Sequence, residues 1–191
     1  LEGMDDTLIK QSAAKGLNTA GIALLPEGRG WLLAEIGSVD PATDDPAIAD
    51  ARTDEFIAHL PADVTVRRIR EHGDVADVWE LRASGLAAAA MRPDGIRTFE
   101  GWEDAAVPPA RLGEYLRRLS ILWDEYGLKS AWYGHFGQGC VHTRNPFDFS
   151  SREGLASFRS FIEKAADLVV ELGGSVSGEH GDGQGRGELL V

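Results

Sequence analysis

Two strong amphipathic helix patterns, over residues 109–126 and 150–172, constrain the fold of this chain more than any other feature. In each pattern apolar side chains recur every three or four residues, the spacing that places them on one helical face. The first pattern starts at Pro108-Pro109, and the second has Ser150 and Glu153 at capping-box spacing. Both helices therefore need another element to cover their apolar faces.

Between these helices, residues 130–134 and 140–144 have the pattern of two strands around a short turn. Upstream, the sequence predicts helices over residues 5–15, 46–60 and 74–90 and strands over residues 31–36 and 64–69. Strands followed by helices favour an α+β fold, in which an antiparallel sheet carries helices on one face. A diverged duplication of one unit would account for the repeated order, with residues 93–109 as the linker.

The chain's charge and cysteine content limit the classes of partner and the compartment. Its 191 residues fit one domain or a compact pair of subdomains, and its formal charge of -12 would repel nucleic acid and anionic membrane surfaces. The single cysteine, Cys140, cannot form an internal disulfide, and we expect it to be structural. No apolar segment approaches the roughly 20 residues needed to cross a bilayer. These features predict a cytoplasmic protein, and the start at Leu1 suggests a piece of a longer one.

Residues 134–142, GHFGQGCVH, contain two histidines on either side of a glycine-rich turn. If Gln138-Gly139 forms a two-residue hairpin turn, His135 and His142 become direct cross-strand neighbours and both imidazoles can reach one cation. Surface or core histidines without a ligand role are an equally good interpretation of this stretch alone. A phosphate-binding glycine loop is disfavoured because the loop leads into a strand rather than a helix.

Residues 175–187, SVSGEHGDGQGRG, place Glu179 and His180 side by side between glycines. In a tight bend the carboxylate can bind a metal while the imidazole faces the substrate. Glu179 would then be the third ligand and His180 a base, the set typical of a catalytic site with open coordination positions. A flexible tail is the alternative.

Two arginines are candidates for binding a substrate carboxylate. Arg82 falls within the apolar stripe of the predicted helix over residues 74–90, and Arg144 follows His142 by two residues. Each either holds a carboxylate by a bidentate pair or extends its charged end to solvent.

Taken together, these motifs resemble the C-terminal domain of FAD-linked oxidases, the group that includes D-lactate, glycolate and D-2-hydroxyglutarate dehydrogenases. The resemblance rests on the glycine and histidine pattern of residues 134–142, on residues 173–181, on Leu81-Arg82 and on the segment 103–108. The Gly-Trp-Glu-Asp segment at residues 101–104 is similar to that of large bacterial members that carry an iron-sulfur module.

The resemblance implies that residues 1–191 form a ferredoxin-like α+β cap domain and that a separate N-terminal domain binds FAD. It assigns His135, His142 and Glu179 as metal ligands, His180 as the catalytic base and Arg82 as the carboxylate-binding arginine. Some positions depart from the family pattern and leave the substrate open: Gln138 and Cys140 replace aspartate and asparagine, Trp102 lies where a lysine is common, and Arg144 replaces an asparagine.

The resulting hypothesis is a flavoprotein oxidoreductase that converts a D-2-hydroxy acid to the 2-oxo acid. Its cofactors would be FAD and a divalent metal, with zinc favoured over manganese or iron, and a 4Fe-4S cluster elsewhere in the longer protein. Its partners would be the substrate, the FAD-binding domain and an unidentified electron acceptor. The separate chain is expected to be inactive, and the longer protein is expected to be cytoplasmic or peripheral to the inner membrane. A metal-dependent hydrolase and a non-catalytic metal-binding module remain as alternatives.

Overall fold

The computed structural model describes residues 1–37 and 45–190. Its strands are β1 (Glu2–Asp5), β2 (Gly30–Leu33), β3 (Asp104–Ala106), β4 (Trp132–Gly134) and β5 (Cys140–Thr143). Its helices are α1 (Asp6–Ala14), α2 (Thr19–Leu24), α3 (Pro46–Ala58), α4 (His72–Ala83), α5 (Gly85–Ala89), α6 (Leu112–Glu125), α7 (Arg152–Glu171) and α8 (Gly183–Arg186). Over these two described ranges, no helix combines the length and the apolar character that crossing a bilayer requires.

The five strands form one antiparallel sheet in the order β2-β1-β4-β5-β3. This confirms the α+β class. The central strands β4 and β5 are neighbours in sequence, whereas β1 and β3 join them from distant parts of the chain. The sheet therefore brings residues near positions 2, 104, 133 and 142 into adjacent strands.

Each face of the sheet carries its own hydrophobic core. Val141 pairs with Ala105, and both lie in the core formed with α6 and α7. Tyr133 pairs with Met4 on the opposite face, where they pack with residues of α1, α4 and α5. The sequence had placed the helices on one face, and α6 and α7 do lie together. The helices α1, α4 and α5 cover the other face because the row containing Met4 and Tyr133 is also apolar.

The two helices with the strongest sequence pattern are confirmed as α6 and α7. Tyr115, Leu119, Phe161, Ile162 and Val169 point into their shared core and are at most 1% exposed. The start of α7 differs by one residue from the prediction: Ser151, rather than Ser150, is the N-cap, and its hydroxyl accepts a hydrogen bond of 3.0 Å from the Gly154 amide. Ser150 instead donates to Asp148.

Two upstream predictions need correction, and two short strands were not predicted. Residues 64–69 form no strand, because they find no sheet partner within the described chain and leave Val64 and Val66 exposed. The predicted helix over residues 74–90 is divided at Ser84 into α4 and α5, where Gly85 packs against the Tyr133 ring. The sequence did not predict the short strands β1 and β3.

The predicted hairpin register is also wrong by two residues. His142 pairs with Tyr133 rather than with His135, because the chain forms a 3-10 turn over Phe136–Gln138 instead of a tight two-residue turn. The Gly137 amide donates 2.8 Å to the Leu1 carbonyl, which ties this turn to the start of β1. Gly139 has the positive φ, 76°, that the turn was expected to require.

Candidate active site

The sheet places His142 and Asp104 directly opposite each other on β5 and β3. Both are buried, and they lie on the same face as Tyr133. Cys140 precedes His142 by two residues and therefore shares its face, where the thiol approaches the Asp104 carboxylate at 3.4 Å. Arg82 and Ala83 of α4 and Leu86 of α5 line a cavity at this end of the face.

His135 reaches the same place from the end of β4. Its ring centroid lies 5.3 Å from that of His142, with the two rings nearly perpendicular. Its Nδ1 lies 3.1 Å from the Glu2 carboxylate of β1. The two histidines are therefore brought together despite the different register.

The glycine-rich tail is bound to the edge of the sheet. Ser175 forms a β-bridge with Ala106, and the Asp104 side chain accepts hydrogen bonds from the Ser177 hydroxyl (2.7 Å) and from the amides of Glu179 (3.0 Å) and His180 (2.7 Å). A buried carboxylate that accepts three such bonds fixes the local backbone. The bend predicted around Glu179 and His180 thus has an anchor that the sequence did not suggest.

Three imidazoles converge on one carboxylate oxygen. The Nε2 atoms of His135 and His142 each lie 3.4 Å from Glu179 Oε1, and the Nε2 atom of His180 lies 3.1 Å from it. Two ligands bound tetrahedrally to one cation at 2.0 to 2.1 Å are about 3.3 Å apart. The separations from Glu179 to His135 and His142 therefore fit ligands of a shared metal ion.

The opposite ring nitrogens face carboxylates, as the supporting groups of metal-bound histidines do. His135 Nδ1 faces Glu2, and His180 Nδ1 lies 2.9 Å from Glu103. His142 Nδ1 is 3.8 Å from both Glu103 and Asp104 and has no hydrogen-bond partner in the described parts of the chain.

Another group of possible ligand atoms, all within 4.8 Å of one another, consists of Asp104, His142, Glu179 and His180. It shares His142 and Glu179 with the set predicted from sequence. Asp104 is less suited to bind a metal directly, because its carboxylate already accepts the three bonds from the tail.

Burial, hydrogen bonds and neighbouring charged groups together determine the pKa shifts in this cluster. Burial acts to raise the pKa of Asp104, but the His180 and Glu179 amides and the Ser177 hydroxyl lower it to about 2. Burial likewise opposes the ionisation of Glu103, yet the neighbouring His142 and His180 hold its pKa below the usual range. The hydrogen bond to Glu103 raises the pKa of His180. Burial raises the pKa of the Cys140 thiol to about 12, so the thiol stays protonated.

The cluster has an excess of negative charge. Four carboxylates lie within 4 Å of the three imidazoles, and arginines approach two of them: Arg82 lies 2.7 Å from Glu2, and Arg186 lies 3.8 Å from Glu103. With neutral imidazoles, the four carboxylates and two guanidiniums leave two negative charges, those of Asp104 and Glu179. A divalent cation would balance these charges.

The two predicted substrate-binding arginines line one cavity of about 730 Å³ together with His135, His142 and His180. Arg82 is buried, and its Nε atom has no hydrogen-bond partner in the described residues. Arg144 pairs at 2.8 Å with Glu100, whose side chain is 72% exposed. Another cavity, of about 500 Å³ between α1 and α6, contains none of the predicted site residues.

Four residues of the cluster had no predicted role: Glu2, Glu103, Asp104 and Arg186. Glu103 and Asp104 belong to the segment that carried the family resemblance, which was the available signal. Glu2 lies 133 residues from its partner His135, so no local pattern could connect them.

The fold and the site define an α+β domain whose sheet carries a cluster of histidines and carboxylates beside one cavity. The chain belongs to the family described as FAD linked oxidases, C-terminal domain, which matches residues 2–190.

The chain is similar in sequence to dehydrogenases and to an oxidase subunit. The chain is 31% identical over 153 residues to a D-2-hydroxyglutarate dehydrogenase of Pseudomonas putida, an alignment covering 78% of this chain and 15% of the relative. It is 39% identical over 103 residues to a D-lactate dehydrogenase of Archaeoglobus fulgidus, covering 54% and 22%. It is 28% identical over 184 residues to glycolate oxidase subunit GlcD of Escherichia coli, covering 96% and 34%. The matched part is thus about a third or less of each of these proteins.

Proposed function

We propose that this chain is the substrate-side domain of a flavin-dependent dehydrogenase that oxidises a D-2-hydroxy acid to the 2-oxo acid. The observation that carries the proposal is the convergence of three imidazole Nε2 atoms within 3.1 to 3.4 Å of Glu179 Oε1. The family membership and the names of the relatives support the reaction class.

His135, His142 and Glu179 would hold a divalent metal. Their spacing and the two unbalanced negative charges of the cluster fit such an ion. Mixed imidazole and carboxylate ligation suits zinc, with manganese and iron as alternatives. When bound, the metal supplies Lewis-acid chemistry that lowers the pKa of the substrate hydroxyl.

His180 would remove the hydroxyl proton. Its Nδ1 faces Glu103, so the neutral ring presents the lone pair of Nε2 on the same side as Glu179 Oε1. Histidine is suited to this proton transfer because its ordinary pKa of about 6.5 lies near neutral pH, and the hydrogen bond to Glu103 raises the pKa of His180 from that value. The Asp104 carboxylate holds the His180 backbone amide and thereby fixes the position of the ring.

Arg82 and Arg144 would bind the carboxylate of the substrate. Both line the cavity that contains the three histidines, and the Nε of Arg82 has no partner within the described chain. A guanidinium can hold a carboxylate through two parallel hydrogen bonds, which fixes both distance and orientation.

FAD would be bound by a separate domain of a longer protein and supplies the acceptor for the hydride of the substrate α-carbon. The chain alone is therefore expected to be inactive. A 4Fe-4S module, an electron acceptor and a cytoplasmic or peripheral membrane location belong to the same proposal for the longer protein.

The test uses a protein that joins this chain to its flavin-binding domain. D-lactate, glycolate and D-2-hydroxyglutarate are supplied with an artificial electron acceptor, with and without a chelator. We expect turnover that the chelator abolishes, and His180→Ala should abolish it at unchanged flavin content. His72→Ala, an exposed histidine of α4, is the matched control.

Other results would identify the alternatives. Hydrolysis by this chain without flavin would favour a metal-dependent hydrolase. Loss of thermal stability on metal removal, together with no dehydrogenase activity in the joined protein, would favour a non-catalytic module. Normal turnover of His180→Ala would remove the assignment of the base.

A further inference from the structure

We infer that Glu103 is a positioning residue that orients the His180 imidazole for proton removal. The inference rests on the proposed function, because it assigns a second group to the base of that reaction. Glu103 lines the cavity with the histidines, but it comes no closer than 3.8 Å to the expected metal ligand His142, compared with 2.9 Å to His180. Its effect on the reaction would therefore pass through His180.

Both carboxylate oxygens of Glu103 approach the same ring atom. Oε1 lies 2.9 Å and Oε2 lies 3.2 Å from His180 Nδ1. A carboxylate in this position accepts a hydrogen bond from Nδ1–H, so the neutral ring is held in the tautomer whose Nε2 carries the lone pair. That Nε2 is the atom that lies 3.1 Å from Glu179 Oε1.

Glu103 is more buried than His180, so we take the carboxylate as the fixed partner of this pair and the imidazole as the group that it orients. The Glu103 side chain is 13% exposed, whereas the His180 side chain is 52% exposed. The Glu103 carbonyl accepts a 3.0 Å hydrogen bond from the Thr143 amide, which attaches the residue to β5. An exposed ring on a glycine-flanked tail thus depends on a carboxylate held by the sheet.

Arg186 holds the tail on the other side of Glu103. It is 4% exposed, lies 3.8 Å from Glu103 Oε1 and donates a 2.7 Å hydrogen bond to the Gly181 carbonyl. The guanidinium therefore links the Glu103 carboxylate to the residue that follows His180. This arrangement limits the movement of both groups relative to each other.

A role for Glu103 in supporting His142 is the competing explanation. The closest approach of Glu103 to His142 Nδ1 is 3.8 Å, beyond hydrogen-bond distance, compared with 2.9 Å to His180. The distances therefore favour His180 as the group that Glu103 orients.

The test compares Glu103→Gln and Glu103→Asp in the protein that joins this chain to its flavin-binding domain. Glutamine keeps the size but loses the charge, and its amide can donate to Nδ1 and select the wrong tautomer. Aspartate keeps the charge but is one methylene shorter. Glu171→Gln is the matched control, because Glu171 is an exposed glutamate of α7 that pairs with Arg118 of α6. His180→Ala and excess metal are included in every series.

We expect Glu103→Gln to lower kcat by about 10- to 100-fold while KM changes by less than about threefold. Glu103→Asp should retain more activity than Glu103→Gln, because the charge is kept. Wild-type kcat in Glu103→Gln, with an inactive His180→Ala, would overturn this inference and leave the proposed function intact. Activity restored by excess metal would assign Glu103 to His142 and also overturn it. An active His180→Ala would reject the base assignment itself.

Discussion

The Asp104 carboxylate should be the main support of the tail, and Asp104→Asn tests this directly. The side chain is fully buried, and its Oδ2 accepts hydrogen bonds from the Ser177 hydroxyl and from the amides of Glu179 and His180. Asparagine has the same shape and can still accept these bonds through its carbonyl oxygen. The substitution therefore removes the charge and places an amide, instead of the second carboxylate oxygen, against the Cys140 thiol.

Two estimates give a similar magnitude. A hydrogen bond to a charged acceptor contributes about 1 kcal/mol more than one to a neutral acceptor, so three bonds lose about 3 kcal/mol. The pKa of Asp104 is about 2 compared with an ordinary value of 3.8. That difference corresponds to about 2 to 3 kcal/mol of folding free energy at neutral pH.

The pH dependence has a definite sign. Because the folded-state pKa is lowered, the charge stabilises the fold above pH 3.8, and this stabilisation is lost as the pH falls toward about 2. The difference between wild type and Asp104→Asn should thus fall to roughly half its neutral value near pH 3.

The assay is urea denaturation with a chelator present, at pH 7 and at pH 3, together with hydrogen exchange of the Glu179 and His180 amides. Both amides should exchange faster in Asp104→Asn. Asp148→Asn is the matched control, since Asp148 also has a pKa of about 2 but is exposed to solvent, so its loss should be much smaller. A loss below about 0.5 kcal/mol, or one that is the same at both pH values, would refute the role given to Asp104.

Three further changes have defined outcomes. Gly139→Ala should lower the free energy of unfolding by more than about 2 kcal/mol in chemical denaturation. The φ angle of Gly139 is +76°, and the new Cβ would lie 1.8 Å from the Val107 carbonyl oxygen. Gly113→Ala in α6 is the control. Tyr133→Phe should raise KM by about 2- to 10-fold at similar kcat, since Tyr133 lines the cavity between Arg82 and His142. Burial raises the pKa of Asp5 to about 7. As the pH rises from 4 to 7, the stability of the wild type should therefore fall relative to that of Asp5→Asn, and parallel pH profiles in thermal unfolding would contradict this.

The parts of the fold that the sequence predicted are those with long periodic patterns. The helices α6 and α7 extend over 14 and 20 residues, enough for the apolar spacing to be distinguished from chance. The strands β1 and β3 have four and three residues, too few to show an alternating pattern, and they join the sheet only through distant partners. The break at Ser84 likewise depends on the packing of Gly85 against Tyr133, 48 positions away.

The candidate site shows the same distinction between local sequence patterns, which could be predicted, and distant contacts, which could not. The histidines and the Glu179-His180 pair could be proposed from sequence because their spacing within two short motifs is local. The supporting carboxylates could not, since Glu2, Glu103 and Asp104 meet their histidines only after β1 and β3 pair with the central strands. Residues that hold a reactive group in place are recognised here from tertiary contacts rather than from motif spacing.

His135 and His142 lie close together although the predicted hairpin register was wrong, and the two-residue period of a β-strand explains why. The observed partner of His142 is Tyr133 and the predicted one was His135, a shift of two residues. Side chains alternate between the two faces, so a shift of two leaves His142 on the predicted face, whereas a shift of one would have turned it into the core with Val141. His135 then returns to His142 because the 3-10 turn over Phe136–Gln138 begins directly after it. The convergence of the two imidazoles thus depends on the face of β5 and on this turn rather than on direct cross-strand pairing, and a substitution that alters the turn should separate the rings without disturbing the sheet.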